Sequence, residues 1–222
     1  VAFGRSLGVR FTFLIDGDDT VFFYDGPELT DKQIEDFFKP YGFKMGVEMR
    51  PTRFEEIDFC QSRPVYVNNQ WVMVRNPLRV ISRLGMSYHK ETMGAYIKRV
   101  ITTATCEAWL ARGVPMLQDY CQVIINRLEP LLTKRQLKRG KYLHVEALTY
   151  RMQHLFTKVE DFTPEPIKLE TRLSFKAAFG IDVERQLGFE AKARAWEFNM
   201  EAKVGGPINP SWFQEGPYPE WS

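Results

Sequence analysis

The chain has little cysteine or histidine and no long apolar run. Its 222 residues include three cysteines and three histidines, without a C-x-x-C pair or a clustered set of both. A disulfide framework and a zinc site are therefore not expected, and a reducing compartment fits better. No apolar run approaches the roughly 18 residues of a membrane span, and we expect no signal peptide.

A strong charge of one sign is also absent. The formal net charge is +2, so any nucleic-acid contact must come from local basic patches. With 44% apolar and 14% aromatic residues, a packed core is expected. The length allows one sizeable domain, or the remnant of one and a second. The chain begins at Val1 in mid-pattern, and we expect that its start is truncated.

Residues up to about 74 have the pattern of β-hairpins. Apolar, β-prone runs on both sides of Asp16-Gly17 predict a first hairpin. Asn68-Asn69, between residues 64–67 and 70–74, predicts a second hairpin because Asn tolerates the positive φ of a tight turn.

Three further elements are expected between the hairpins. A helix is predicted over Asp31–Phe38, capped by Thr30 or Asp31. Short strands are predicted over residues 44–48 and 57–60.

From about residue 93 the apolar spacing changes from two to about 3.6 residues. One helix is predicted from residue 93 to 108, stopped by Gly113-Val114-Pro115, and another from 117 to 128. Further helices are predicted over residues 143–157 and 166–178, followed by an irregular tail after Gly205. The predicted fold class is α+β, with a β part followed by a helical part.

Gly17-Asp18-Asp19 lies in the predicted turn of the first hairpin. Phosphoryl transfer to a growing strand uses divalent cations, and hard Mg²⁺ prefers carboxylate oxygens. Asp and Gly also dominate ordinary surface turns. This tripeptide alone leaves both interpretations open.

Five segments in order resemble RNA-dependent RNA polymerases of plus-strand RNA viruses, in the tombusvirus-like group. Phe59-Cys60-Gln61-Ser62-Arg63-Pro64-Val65, about 40 residues after the Asp pair, resembles the primer-grip segment, motif E. Tyr41-Gly42-Phe43-Lys44-Met45 resembles motif D. Residues 74–77 and 113–118 resemble segments at the start of the thumb. A segment near its end is resembled by Arg172, Ser174-Phe175 and Ala178-Phe179-Gly180-Ile181.

The resemblance implies the end of a right-hand polymerase palm followed by a mainly helical thumb. Residues 1–76 would be a palm remnant with motifs C, D and E. Residues 77–204 would form the thumb, and residues 205–222 a tail rich in Pro, Gly and Trp.

The resemblance also implies roles in catalysis. Asp18 matches the motif C aspartate that binds the catalytic metal, Mg²⁺ or Mn²⁺, and Asp19 matches its neighbour with a lesser or indirect metal role. Gly17 would let the turn approach the primer end. Lys44 would protonate the leaving pyrophosphate; a solvated strand lysine is the alternative.

RNA contacts are implied at two places. The grip on the 3′ end of the nascent strand, which orients the hydroxyl for attack, falls on Cys60, Gln61, Ser62 and Arg63. A small buried hydrophobe is the alternative for Cys60. A basic run in the thumb could contact the phosphate backbone or be a solvated helix end; it comprises Lys134, Arg135, Lys138, Arg139 and Lys141.

The motif A and B segments that normally precede motif C are missing from the chain. Asp31 and Asp36 have the D-x-x-x-x-D spacing of motif A, but in a helix five positions rotate by about 140°, so they diverge. We expect half a metal site and no polymerase activity from this polypeptide alone. RNA-templated incorporation by the purified chain would contradict that expectation.

The resemblance implies template-dependent nucleotidyl transfer from NTPs to nascent RNA in viral genome replication. The implied partners are RNA template and nascent strand, NTPs, the missing fingers and palm, and a replication complex in the host cytoplasm, membrane-associated only through other regions or proteins. One alternative is a non-catalytic RNA-binding or interaction fragment of viral origin. Another is a reverse transcriptase, which usually carries a different residue at the position of Gly17.

Overall fold

The computed structural model describes residues 2–86, 92–138 and 162–195. A short helix α1, Ala2–Leu7, precedes strands β1, Arg10–Asp16, and β2, Asp19–Asp25. The strands pair antiparallel, with Asp16 opposite Asp19. Gly17 has φ +66°, a left-handed conformation that favours glycine. The first predicted hairpin is confirmed.

Helix α2, Asp31–Phe38, follows. The Thr30 hydroxyl accepts from the Gln33 backbone N–H at 3.3 Å, while the Gln33 side chain accepts from the Thr30 N–H at 2.8 Å. This reciprocal pair is a capping box, so the predicted helix and cap are confirmed. The helix buries Ile34 with Phe3 in a small core beside the hairpin.

The predicted strand over residues 44–48 is wrong. This stretch is irregular, because no strand of the described residues lies beside it to pair its backbone. Met45 and Val47, two positions apart, both pack half-buried against the small core, which accounts for the alternating apolar pattern without a strand. The predicted strand over residues 57–60 is also wrong: Phe59 makes one bridge, to Ser62, and the chain turns back between them.

The second predicted hairpin is confirmed. It consists of β3, Ser62–Val67, and β4, Gln70–Arg75. Asn68 and Asn69 form its turn with φ of +46° and +68°. Positive φ at both positions is what a type I′ turn requires, and its twist matches that of the strands.

The helices pack against β3 and β4 around the main core. Met93–Leu110 and Leu117–Leu128 form its centre and are separated, as predicted, at Gly113-Val114-Pro115. The predicted helix over residues 166–178 exists but begins later, at Leu169. After α1 and α2, the α-helices of the described residues are α3, Pro77–Arg83; α4, Met93–Leu110; α5, Leu117–Leu128; α6, Lys134–Lys138; α7, Leu169–Phe179; and α8, Val183–Ala195.

Helices combined with two small antiparallel sheets make the described part α+β, as predicted. Helix α7 lies along β3, and the Tyr66 N–H donates to the Ser174 hydroxyl at 2.9 Å. No helix in residues 2–86, 92–138 or 162–195 is long and apolar enough to cross a membrane. The predicted helix over residues 143–157 and the tail after residue 205 lie outside the described residues.

Candidate functional site

The tip of the first hairpin and the turn before β3 meet in space. The Cys60 thiol donates to the Asp16 carboxylate with an Sγ–Oδ2 distance of 3.6 Å, although 44 positions separate them. Desolvation raises the pKa of Cys60, and the hydrogen bond to Asp16 and the charges of Asp16 and Asp19 raise it further. The thiol therefore faces the carboxylates at the end of the hairpin.

Three carboxylates surround the hairpin turn. Asp16 and Asp19 are cross-strand partners, so their side chains leave the same face of the hairpin, while Asp18 lies in the turn itself. All three residues are exposed, and their oxygens are the donor type that Mg²⁺ prefers. Within the described ranges, no group of three or more His, Cys, Asp or Glu side chains is arranged to hold a metal ion, so metal binding by Asp18 and Asp19 stays a prediction.

The turn at Cys60 and Gln61 is tight and conformationally unusual. Phe59 and Ser62 exchange two backbone hydrogen bonds, each 3.0 Å. Between them Cys60 and Gln61 have φ of +52° and +60°, a region that non-glycine residues rarely occupy. Such a conformation persists only when the surroundings hold it, and one such contact is the Asn76 N–H, which donates to the Gln61 carbonyl at 3.0 Å.

A cavity of about 100 Å³ lies beside this turn. Its lining includes Cys60 and Gln61 together with three arginines, Arg75, Arg79 and Arg83. Arg79 and Arg83 are exposed, and Arg79 donates from its guanidinium to the Gln61 side chain. We call this cavity the arginine pocket, after Arg75, Arg79 and Arg83. Guanidinium groups are well suited to binding phosphate oxygens.

One carboxylate, Glu107, also lines the arginine pocket. It pairs with Arg75, and 14% of its side chain is exposed. Burial raises the pKa of Glu107, and the charge of Arg75 opposes that rise. Glu107 thus offsets part of the positive charge of the pocket.

Sequence reasoning missed the arginine pocket. Arg79 and Arg83 are four positions apart in α3, and residues at that spacing lie on one face of a helix. Arg75 is the last residue of β4, just before the helix begins. The Asn76 side chain caps α3 by accepting from the Leu78 and Arg79 N–H groups at 3.0 and 3.3 Å. The signal available in the sequence was the four-residue spacing of Arg79 and Arg83 after the Asn76-Pro77 helix start.

Two predicted grip residues make contacts within the protein. The Arg63 guanidinium donates to Asp58 Oδ2 at 3.1 Å and to the Ala178 carbonyl at 2.7 Å. The Ser62 hydroxyl donates to the Cys60 carbonyl at 3.5 Å. RNA contacts by Arg63 and Ser62 stay predictions.

The other predicted residues lie apart from this meeting point. Lys44 is exposed in the irregular stretch after Gly42, and its role as a proton donor stays a prediction. Lys134 and Arg135 are exposed on α6. Lys138 ends that helix, whereas Arg139 and Lys141 lie outside the described residues, so the basic run stays a prediction.

The chain is similar to known viral proteins. The model of a family described as viral RNA dependent RNA polymerase matches residues 1–201. The chain is 31% identical over 189 residues to the RNA-directed RNA polymerase of Tobacco necrosis virus (strain A), covering 83% of this chain and 25% of that protein. For the polymerase of Panicum mosaic virus the identity is 31% over 207 residues, covering 91% and 20%.

A third relative, the RNA-directed RNA polymerase of Melon necrotic spot virus, is 27% identical over 216 residues, which cover 95% of this chain and 26% of that protein. The chain thus spans about a fifth to a quarter of the length of the relatives it matches. No solved structure gives a significant match.

Proposed function

The chain belongs to the viral RNA-dependent RNA polymerase family, and on that premise we propose that it supplies the metal-binding turn and the 3′-end grip of an RNA-directed RNA polymerase. The reaction is template-directed transfer of a nucleotidyl group from an NTP to the 3′ hydroxyl of nascent RNA, with release of pyrophosphate. The observation that carries this proposal is the contact between the exposed hairpin tip and the Cys60–Gln61 turn, marked by the 3.6 Å hydrogen bond from Cys60 to Asp16.

The metal-binding part of the proposal concerns Asp18 and Asp19. Their exposed carboxylates at a rigid turn would hold part of the coordination sphere of Mg²⁺ or Mn²⁺. Such an ion stabilises the charge that develops on phosphoryl oxygens. The remaining ligands would come from other parts of a longer polymerase. Lys44 as the proton donor to pyrophosphate belongs to the same proposal.

The grip part of the proposal concerns the arginine pocket and the Cys60–Gln61 turn, which we call the strained turn because both residues have positive φ. Cys60 contacts Asp16 at the hairpin tip, and Cys60 and Gln61 also line the arginine pocket. A 3′ end held against this turn would have its hydroxyl near the hairpin tip and its last phosphates near Arg79 and Arg83. Gly17 gives the backbone the close approach that this needs. Holding the hydroxyl in line is a positioning contribution to the rate.

The domain proposal follows the order of the elements. Residues 1–76 would be the end of the palm, residues 77–204 the thumb, and residues 205–222 a tail. The basic run beginning at Lys134 would contact the phosphate backbone of the product duplex. Partners would be RNA, NTPs, the fingers and remaining palm, and a viral replication complex in the host cytoplasm.

The test is templated nucleotide incorporation by the complete polymerase polypeptide that contains this chain. Replacing Asp18 by Asn removes a metal-binding charge, and loss of several kcal/mol of transition-state stabilisation lowers the rate by about 100-fold or more. Asp25→Asn is the matched control: Asp25 lies at the other end of β2, is exposed and pairs with Arg10. Equal activity of the Asp18→Asn variant and the control would overturn the proposal.

A non-catalytic RNA-binding fragment is the second candidate, because the described residues hold no group of three or more His, Cys, Asp or Glu side chains placed to bind a metal ion. An intact reading frame upstream of Val1 with D-x-x-x-x-D and Ser/Thr-Gly motifs favours the enzyme. An unrelated upstream sequence, together with RNA binding that Asp18→Asn leaves unchanged, favours the fragment.

A further inference from the structure

Arg63 fastens the Cys60–Gln61 turn at its base. Asp58 lies before the turn and Arg63 after it, and the guanidinium reaches back to the Asp58 carboxylate at 3.1 Å. This ion pair joins the two segments that flank the turn. Asp58 and Arg63 are the next residues outward from Phe59 and Ser62, which exchange the backbone hydrogen bonds. Only 16% of the Arg63 side chain is exposed, so most of it is turned away from solvent.

The same guanidinium also attaches the turn to helix α7. Its second donor reaches the Ala178 carbonyl at 2.7 Å. Ala178 is in the last turn of α7, where backbone carbonyls lack partners within the helix. A cation there is further favoured by the helix dipole. Arg63 therefore satisfies an acceptor that the helix leaves open.

A second contact holds α7 against β3. The Ser174 hydroxyl accepts from the Tyr66 N–H at 2.9 Å and donates to Glu55 Oε1 at 3.2 Å. Ser174 is buried, so the contact fixes α7 where solvent does not compete. Tyr66 offers this N–H on the edge of β3 that faces away from β4.

Helix α7 is in turn fixed to α8. Arg172 donates two hydrogen bonds to Glu190, at 2.9 and 2.8 Å. Glu190 is 1% exposed and also accepts from the Met116 N–H at 3.0 Å. The support beneath the turn thus extends from α5 and α8 through α7 to Arg63.

We propose that Arg63 is a positioning residue that holds the Cys60–Gln61 turn against the carboxylates of the first hairpin by joining Asp58 to the C-terminal end of α7. It acts through the turn and not by contact with RNA. This inference deepens the proposed polymerase function and rests on it. A lysine at this position keeps the charge but lacks the planar guanidinium, whose several N–H donors reach two acceptors at once.

The test compares Arg63→Ala, Arg63→Lys and a matched control in the complete polymerase. Arg112 is the control because its guanidinium also joins a backbone carbonyl, that of Thr163, and a carboxylate, that of Glu165. The measurements are kcat on a primed template, RNA affinity as a function of salt, and hydrogen exchange of the amides of residues 58–62.

We expect Arg63→Ala to lower kcat between about tenfold and a hundredfold, because small displacements of a reacting group cost that much. RNA affinity should change less than about twofold, with the same salt dependence. Exchange of residues 58–62 should become faster. Arg63→Lys should lower kcat and speed the exchange less than Arg63→Ala does. Arg112→Ala should change neither kcat nor the exchange of residues 58–62.

A reduction of the salt slope by about one would reveal a lost phosphate contact and overturn the inference, as would normal kcat and exchange in a folded Arg63→Ala variant. If that variant does not fold, Arg63→Lys and Ser174→Ala serve in its place. Each should lower kcat and make the exchange of residues 58–62 faster. If the wild-type polymerase incorporates no nucleotide, the proposed function fails, and the exchange comparison still decides whether Arg63 holds the turn.

Discussion

Arg79 donates a hydrogen bond from its guanidinium to the side-chain oxygen of Gln61. The arginine pocket and the strained turn are therefore physically joined, and α3 carries that connection. Since Asn76 both caps α3 and donates to the Gln61 carbonyl, the helix start and the turn are fixed by the same residue.

The first prediction concerns phosphate binding in the arginine pocket. Arg83→Ala should weaken RNA binding to a similar extent for all sequences and lower the slope of log affinity against log salt by about one. Arg185→Ala, which removes an exposed arginine of α8, should leave the slope unchanged. Filter binding of labelled RNA over a salt series measures both. An unchanged slope for Arg83→Ala would exclude a phosphate contact by this residue.

The second prediction concerns the backbone of the strained turn. Cys60 has φ +52°, which a β-branched residue adopts at high cost, whereas Asn tolerates it. Cys60→Val should weaken the turn by about 1–2 kcal/mol, equivalent to roughly 5- to 30-fold faster local hydrogen exchange at residues 59–62. Cys60→Asn should exchange nearly as the wild type does. Equal exchange in both variants would mean that the turn does not hold this conformation.

The third prediction concerns the pH dependence of stability at Glu107. Burial raises its pKa above the ordinary value of 4.5, so the folded state keeps a proton that the unfolded state has released. This contribution to stability is fully present below pH 4.5 and is lost as pH rises through the raised pKa of the folded state.

Glu107→Gln removes this titration while keeping the side-chain size. The unfolding free energy of the wild type minus that of the variant should therefore fall as pH rises from 4.5 and then level off. Hydrogen exchange of peptides from α4 over a pH series, corrected for intrinsic rates, gives the difference. A difference that grows with pH would contradict the burial of this carboxyl.

Local patterns predicted the elements that local chemistry determines. The hairpin turns at Gly17 and Asn68-Asn69 depend on residues that accept positive φ, and the capping box of α2 lies within four residues. The prediction of a strand over residues 44–48 was wrong. Alternating apolar residues indicate which side chains face a core, but a strand also needs a second strand to pair with its backbone. The turn at Cys60 and Gln61 escaped prediction because neither residue type usually adopts positive φ.

The candidate site was predicted in its parts and not in its connections. The sequence placed Asp18 and Asp19 at a hairpin turn, where the structure has them exposed; their metal role, implied by the resemblance to motif C, stays a prediction. The contact from Cys60 to Asp16 and the support of Arg63 by Ala178 join residues 44 and 115 positions apart. Such contacts depend on how whole elements pack, which a single sequence does not specify.

The most direct measurement maps the 3′ end of the nascent RNA. An RNA primer with 4-thiouridine as its last nucleotide is annealed to template, bound to the complete polymerase and photo-crosslinked, and the modified peptide is identified by mass spectrometry. The account predicts crosslinks within residues 58–63 and at the hairpin tip, residues 16–19. Efficient crosslinking elsewhere in the chain, with neither segment modified, would contradict it.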